Sequence, residues 1–113
     1  MVSGLEGPVR GPWEYLDAAV QYSAPRQGLA VVRTLDQPAG ADPPVRVYEL
    51  LSISDERVWV RAVGAPQDGA VTINRLEIEW RPFRDPDKEK ALLRDISTRI
   101  EDLVAGGGIA PAR

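Results

Sequence analysis

Glu77 and Glu79 stand at alternate positions of the run Leu76-Glu77-Ile78-Glu79-Trp80. On a strand they share one face, roughly 7 Å apart. Paired carboxylates can serve as acid and base when their environments split their pKa values. Arginines flank both in the sequence, which would hold both ionised instead. No nucleophile–base pair, glycine-rich phosphate loop or metal-ligand spacing accompanies them. Asp85-Pro86-Asp87-Lys88-Glu89 also spaces carboxylates at alternate positions. A hard-cation loop does the same, but it needs further acidic positions and a glycine that are absent here. The same residues make a complete helix start, with Asp85 as N-cap, Pro86 at the first helical position, and Asp87 and Glu89 at the positive end of the dipole. Gly106-Gly107-Gly108 resembles a phosphate loop in composition alone, because it follows a helix where an anion site would precede one.

The remaining constellation is Arg46, Tyr48, Arg57, Trp59 and Arg61. Arginines interleaved with flat rings could hold an anionic or aromatic ligand. They are also the residue types enriched at the energetic centres of protein interfaces. The competing reading is cross-strand ion pairing of Arg57 and Arg61 with Glu77 and Glu79, worth a few tenths to ~1 kcal/mol per pair.

Composition narrows the chemistry. There is no cysteine, so disulfides, thiolate metal sites and thiol catalysis are excluded. There is no histidine, which removes the commonest acid–base residue and transition-metal ligand. No cofactor is expected. The net charge of −3 argues against a nucleic-acid binder, whose affinity comes largely from neutralising phosphates. Twelve arginines against two lysines, in a chain rich in Gly, Pro and Ala, suit a GC-rich coding sequence, so the arginine bias alone carries no function. Met1 to Pro8 lacks a charged start followed by an apolar run, and no segment approaches the ~20 apolar residues of a membrane span. A cytoplasmic location without membrane attachment is expected.

The 113 residues suit one domain. Gly4, Gly7, Pro8 and Gly11 punctuate residues 1–11, which read as a flexible arm. Trp13, Leu16, Ala19 and Val20 recur at helical spacing after Pro12, so a short helix is favoured over a strand. Leu29 to Leu35 reads as a strand, followed by a Pro-rich loop over 36–44. Val45 to Ile53 and Arg57 to Val63 form a hairpin. An even connection would put Val45, Val47, Leu51 and Ile53 on one face with Val58, Val60 and Ala62. A three-residue loop would set Arg57 and Arg61 among the valines, since a one-residue slip flips every side chain. The even connection is therefore expected, with Glu49 a misfit near a sheet end. Gly64 to Gly69 reads as a turn, and Ala70 to Trp80 as a strand with a bulge near Asn74. Leu93, Ile96, Ile100 and Leu103 then mark an amphipathic helix ended by Gly106, with 106–113 a flexible tail.

These elements predict an α+β domain over 12–105. An antiparallel sheet of about four strands packs its valine face against the C-terminal helix, and the N-terminal segment lies at an edge or on the other face. Arg46, Tyr48, Arg57, Trp59 and Arg61 would then share the uncovered side. The function expected is a non-catalytic protein-interaction or assembly module, with a protein partner or a homo-oligomer. The alternative is a small-ligand-binding domain using the same Arg/Trp/Tyr face.

Overall fold

In the computed structural model, residues 5–37, 43–67, 70–81 and 85–106 are described, those at 5, 6, 8–10 and 67 by their backbone only. The chain runs β1 (Leu5–Pro12), a 3-10 turn (Trp13–Tyr15), α1 (Leu16–Arg26), β2 (Leu29–Asp36), β3 (Val45–Ser52), β4 (Arg57–Gln67), β5 (Ala70–Arg81) and α2 (Pro86–Ala105). The architecture is α+β as expected, with five strands in one antiparallel sheet, ordered β1-β5-β4-β3-β2. β2 to β5 form a meander, β1 extends it beyond β5, and α1 carries the chain from one edge to the other. No helix among the described residues is long and apolar enough to cross a membrane.

The additional strand is β1, where the sequence suggested an arm. Residues 1–4 of that arm lie outside the described residues. The glycines that read as punctuation are the positions where α2 lies directly on the strand. A Cβ at Gly7 would come within 2.8 Å of Leu93, and one at Gly11 within 2.5 Å of the Ile100 γ-methyl. Pro8 and Pro12 are admissible because β1 is an edge strand. β4 also outruns its expected end. Gly64, Ala65 and Pro66 pair with Ile73, Thr72 and Val71, so the strand passes through the predicted turn, of which Asp68 and Gly69 lie outside the described residues. β3 stops at the Val45–Val63 pair, which leaves Pro66 on an unpaired edge. The bulge falls where expected: Val63 pairs with Arg75 and Gly64 with Ile73, so Asn74 is skipped and Ile73 and Leu76 both enter the core.

The β3–β4 connection differs from the sequence expectation, and the difference reorganises the sheet. Ile53, Ser54 and Asp55 form a three-residue loop closed by the Ser52 N–H donating to the Glu56 carbonyl at 2.9 Å. The Ser52 hydroxyl accepts from the N–H groups of Ser54 and Glu56, each at 3.1 Å. Asp55 takes φ 63°, a left-handed conformation that Asp tolerates better than most residues and that three-residue hairpins use in their last position. The register is therefore odd: Leu50 pairs with Val58, Tyr48 with Val60, and Arg46 with Ala62. Tyr48 and Leu50, not the β3 valines, join Val58, Val60, Leu76, Ile78 and Trp80 beneath the helices. Val45, Val47 and Leu51 go to the opposite side with Arg57, Trp59 and Arg61.

Both helices cover that single face. α1 supplies Leu16, Ala19, Val20 and Ala24, and α2 supplies Leu92, Ile96 and Ile100, to one buried cluster. α1 therefore lies beside α2 and does not cover the other face. α1 continues through Pro25 to Arg26, and Gly28 at φ 73° ends it. α2 begins as its sequence implies, with the Asp85 carboxylate accepting from the Lys88 N–H at 3.1 Å and Pro86 in the first turn. It ends at Ala105 with Gly106 as cap; 107–113 of the expected tail lie outside the described residues.

This packing makes its own stability predictions. Ile96→Ala should cost about 2–5 kcal/mol in urea melts, while Val104→Ala, at a side chain 48% exposed, should stay within about 0.5 kcal/mol. Ile96→Asp should abolish cooperative melting, because it buries an unpaired charge; a melt coincident with the parent would rule out the helix placement. Gly11→Ala should cost about 1–3 kcal/mol by overpacking against Ile100, although Ala is the better strand residue.

Candidate functional site: the open face of the sheet

The odd register divides the five candidate residues between two faces. Arg57, Trp59 and Arg61 alternate along β4 on the side away from the helices. Arg46 and Tyr48 lie on the helix side and are separated from them by the thickness of the sheet.

Arg46 and Tyr48 belong to a polar cluster that fastens α1 to the sheet. The Tyr48 hydroxyl donates to the Asp17 carboxylate at 2.6 Å. Arg46 donates to Asp36 at 2.5 Å and to Asp17 at 3.2 Å, and its guanidinium lies 5.5 Å from the centre of the Trp13 ring. Burial, then the hydrogen bond to Asp17, pushes the Tyr48 hydroxyl up, far from any role as a base near neutral pH. Burial alone would lower the Arg46 pKa, but its bonds to Asp36 and Tyr48 and the charge of Asp17 outweigh burial and raise it. The cluster is internally satisfied and serves packing. Beside it an open groove of about 640 Å³ is lined by Gly11, Trp13, Glu14 and Val71 among others. Among the described residues Glu14 is its one ionisable lining residue.

The open face is built in cross-strand rungs. Arg33, Glu49, Trp59 and Glu79 stand side by side across β2, β3, β4 and β5, and the adjacent rungs are Ala30-Leu51-Arg57-Arg81 and Leu35-Val47-Arg61-Glu77. Trp59 is thus at the centre, with Glu49 and Glu79 beside it, Arg57 and Arg61 above and below, and Val47 and Leu51 on the diagonals. Glu49, expected near a sheet end, is in mid-strand and buried, because the guanidiniums of Arg33, at 2.8 Å, and Arg57 close over it. Glu77 receives Arg61 at 3.1 Å and Arg75 at 2.9 Å, and Glu79 receives Arg81 at 2.9 Å. The cross-strand pairing of Arg61 with Glu77 is the one the sequence suggested. The face members it did not suggest are Arg33, Leu35, Val47, Glu49, Leu51 and Arg75. For Val47, Glu49 and Leu51 the signal was the loop: Asp55 ahead of Glu56 is a residue type suited to the left-handed position of a three-residue turn.

This arrangement disarms Glu77 as a proton donor. Burial would push the Glu77 carboxyl up, but hydrogen bonds from Arg75 and Arg61 prevail and hold it below the ordinary carboxylate value. An acid held ionised cannot donate a proton near neutrality. The Asp85–Glu89 segment is likewise structural. Glu89 is fully buried and accepts the Trp80 N–H at 2.9 Å, on the edge of β5 beyond its last pair with β1, Leu5–Ile78. Among the described residues no group of three or more carboxylates could hold a metal ion.

No family model, curated protein or solved structure matches this chain.

The ion pairs at Glu77 should show in acid titration. A carboxyl with a depressed folded pKa contributes stability that is fully present above its unfolded value, 4.5, and is lost as the pH falls through the folded value. The melting temperature of the parent should therefore fall further between about pH 6 and about pH 3 than that of Glu77→Gln. Parallel curves would mean that the Arg61–Glu77–Arg75 pairing does not form in solution.

Proposed function

We propose that this chain is a non-catalytic protein-interaction module that docks a partner on the open face of its sheet. The observation that carries this reading is the placement of both helices on one side; among the described residues no element covers the other side, which has a partly exposed tryptophan at its centre. Trp59 is ringed by Arg57, Arg61, Val47 and Leu51, a combination of aromatic anchor, arginines and aliphatic surface typical of interface hot spots. The size is adequate. Five strands about 4.8 Å apart, mostly near 3.3 Å per residue, present roughly 24 by 30 Å, close to the ~800 Å² per partner of a stable interface.

The ligand-binding alternative has less support. It relied on Tyr48 and Arg46 sharing a surface with Trp59, and the sheet lies between them. The open face is also a lattice of paired charges, whereas small-ligand sites are mostly apolar clefts.

The test is affinity capture of the tagged chain from its native host, followed by reconstitution with whatever is enriched. Trp59→Ser should weaken that complex by about 2 kcal/mol or more with little change in melting temperature. Tyr22→Ser, at an exposed ring on α1, should leave it intact. Binding that survives Trp59→Ser and fails in Tyr22→Ser would place the docking surface on the helices instead.

A further inference from the structure

Resting on that reading of the open face, we infer that its partner is an acidic protein segment in extended conformation, with an apolar side chain between its carboxylates. The charges on this face are layered. The arginine side chains are the outer layer, 57% exposed at Arg33, 58% at Arg57, 43% at Arg61, 39% at Arg75 and 56% at Arg81, over carboxylates that are 4% exposed at Glu49, 17% at Glu77 and 20% at Glu79. A partner arriving from solvent meets guanidinium groups first. Their shorter carboxylate partners lie beneath and orient them. A guanidinium carries five N–H donors, more than the recessed carboxylates can engage. At Arg57 and Arg61 the donors beyond those on Glu49 and Glu77 suit bidentate recognition of an incoming carboxylate.

The balance of charge points the same way. Among the described side chains five arginines and three glutamates line this face, while the whole chain carries −3, so these groups put a basic surface on an acidic body. Face-to-face pairing of two copies would press one guanidinium layer on another, which opposes self-association through this surface. A nucleic acid fits less well than a protein. The net negative chain repels a polyphosphate, and among the described residues Trp59 is the only aromatic ring on a face where base stacking would want successive rings. The remaining contact surface, Leu35, Val47 and Leu51, is aliphatic.

The spacing defines the segment. Arg57, Trp59 and Arg61 are alternate residues of β4, about 6.6 Å apart. An extended chain repeats its own same-side positions at that distance. A segment reading acid, any residue, apolar, any residue, acid would set its two carboxylates on Arg57 and Arg61 and its apolar side chain on Trp59.

The probe is a short labelled peptide repeating Glu-Thr-Leu-Thr, measured by fluorescence anisotropy against the full chain. It should bind more tightly than the Lys-Thr-Leu-Thr peptide and weaken as salt rises from about 50 to about 500 mM. It should lose at least about tenfold in affinity to the Arg57→Gln/Arg61→Gln double variant. Arg81→Gln is a second variant if that pair disturbs the fold, and far-ultraviolet circular dichroism verifies each. Arg26→Gln, on α1, should bind as the parent does. Equal binding of the Lys peptide, or indifference to the arginine variants, overturns the inference. Tighter binding of single-stranded oligouridylate overturns it in favour of nucleic acid. Concentration-dependent light scattering abolished by Trp59→Ser overturns it in favour of a second copy. The two readings fail separately: if a native partner depends on Trp59 while the chain ignores the acidic peptide, the docking surface stands and the acidic partner is discarded.

Discussion

Everything on this molecule's open side follows from a loop of three residues. With Asp55 in the left-handed region and the Ser52 hydroxyl holding two backbone N–H groups, β3 and β4 pair in an odd register. Side chains alternate strictly along a strand, so this one choice decides which half of β3 faces the helices. It sends Tyr48 and Leu50 inward and brings Glu49 outward beside Trp59. One more or one fewer residue in the loop would bury Glu49 under α1 and α2 and release Tyr48 from Asp17.

The burial of Glu49 on an uncovered face explains how the sheet tolerates that side. A bare sheet needs polar cover over its backbone and its aliphatic side chains. Here Arg33 and Arg57 lie down over Glu49, and Arg61 and Arg75 over Glu77. The long methylene stems shield Val47, Leu51 and Trp59 while the guanidinium heads stay in water. The same residues thus keep the face polar and are the groups that would select a partner in the proposed docking. The guanidinium ends of these pairs are exposed, so a partner's carboxylates can join them from the solvent side, whereas displacing them from Glu49 would leave a buried charge unpaired.

Much of the helix-covered half was legible in the sequence. Asp85-Pro86 marked the start of α2, the stripe Leu93, Ile96, Ile100 and Leu103 marked its apolar side, although Leu92 is buried more fully than Leu93, and the alternation of Leu76, Ile78 and Trp80 with charged residues oriented β5. Local rules suffice there because capping and periodicity are local. The arm that became β1 was misread because its glycines answer to a tertiary contact: Leu93 and Ile100 occupy the space their side chains would fill. The turn expected at Gly64 was misread for the same reason, since Trp13 and Val71 crowd that position. The register of β3 was misread because apolar matching favoured setting Val45, Val47 and Leu51 against Val58 and Val60. That preference is overridden by turn geometry, and by a glutamate and a tyrosine that each find a partner only in the odd register. The candidate site was therefore half legible: Arg57, Trp59 and Arg61 were placed together correctly, and Arg46 and Tyr48 belong to a different structure.

Hydroxyl-radical footprinting of the native chain, read residue by residue by mass spectrometry, tests the register most directly. Tyr48 and Trp59 are both reactive side chains one strand apart, and they lie on opposite faces. The odd register predicts prompt modification of Trp59 and protection of Tyr48 until the protein unfolds. Modification of Tyr48 at a rate matching Trp59 in the folded state would contradict it, and with it the surface on which the proposed docking takes place.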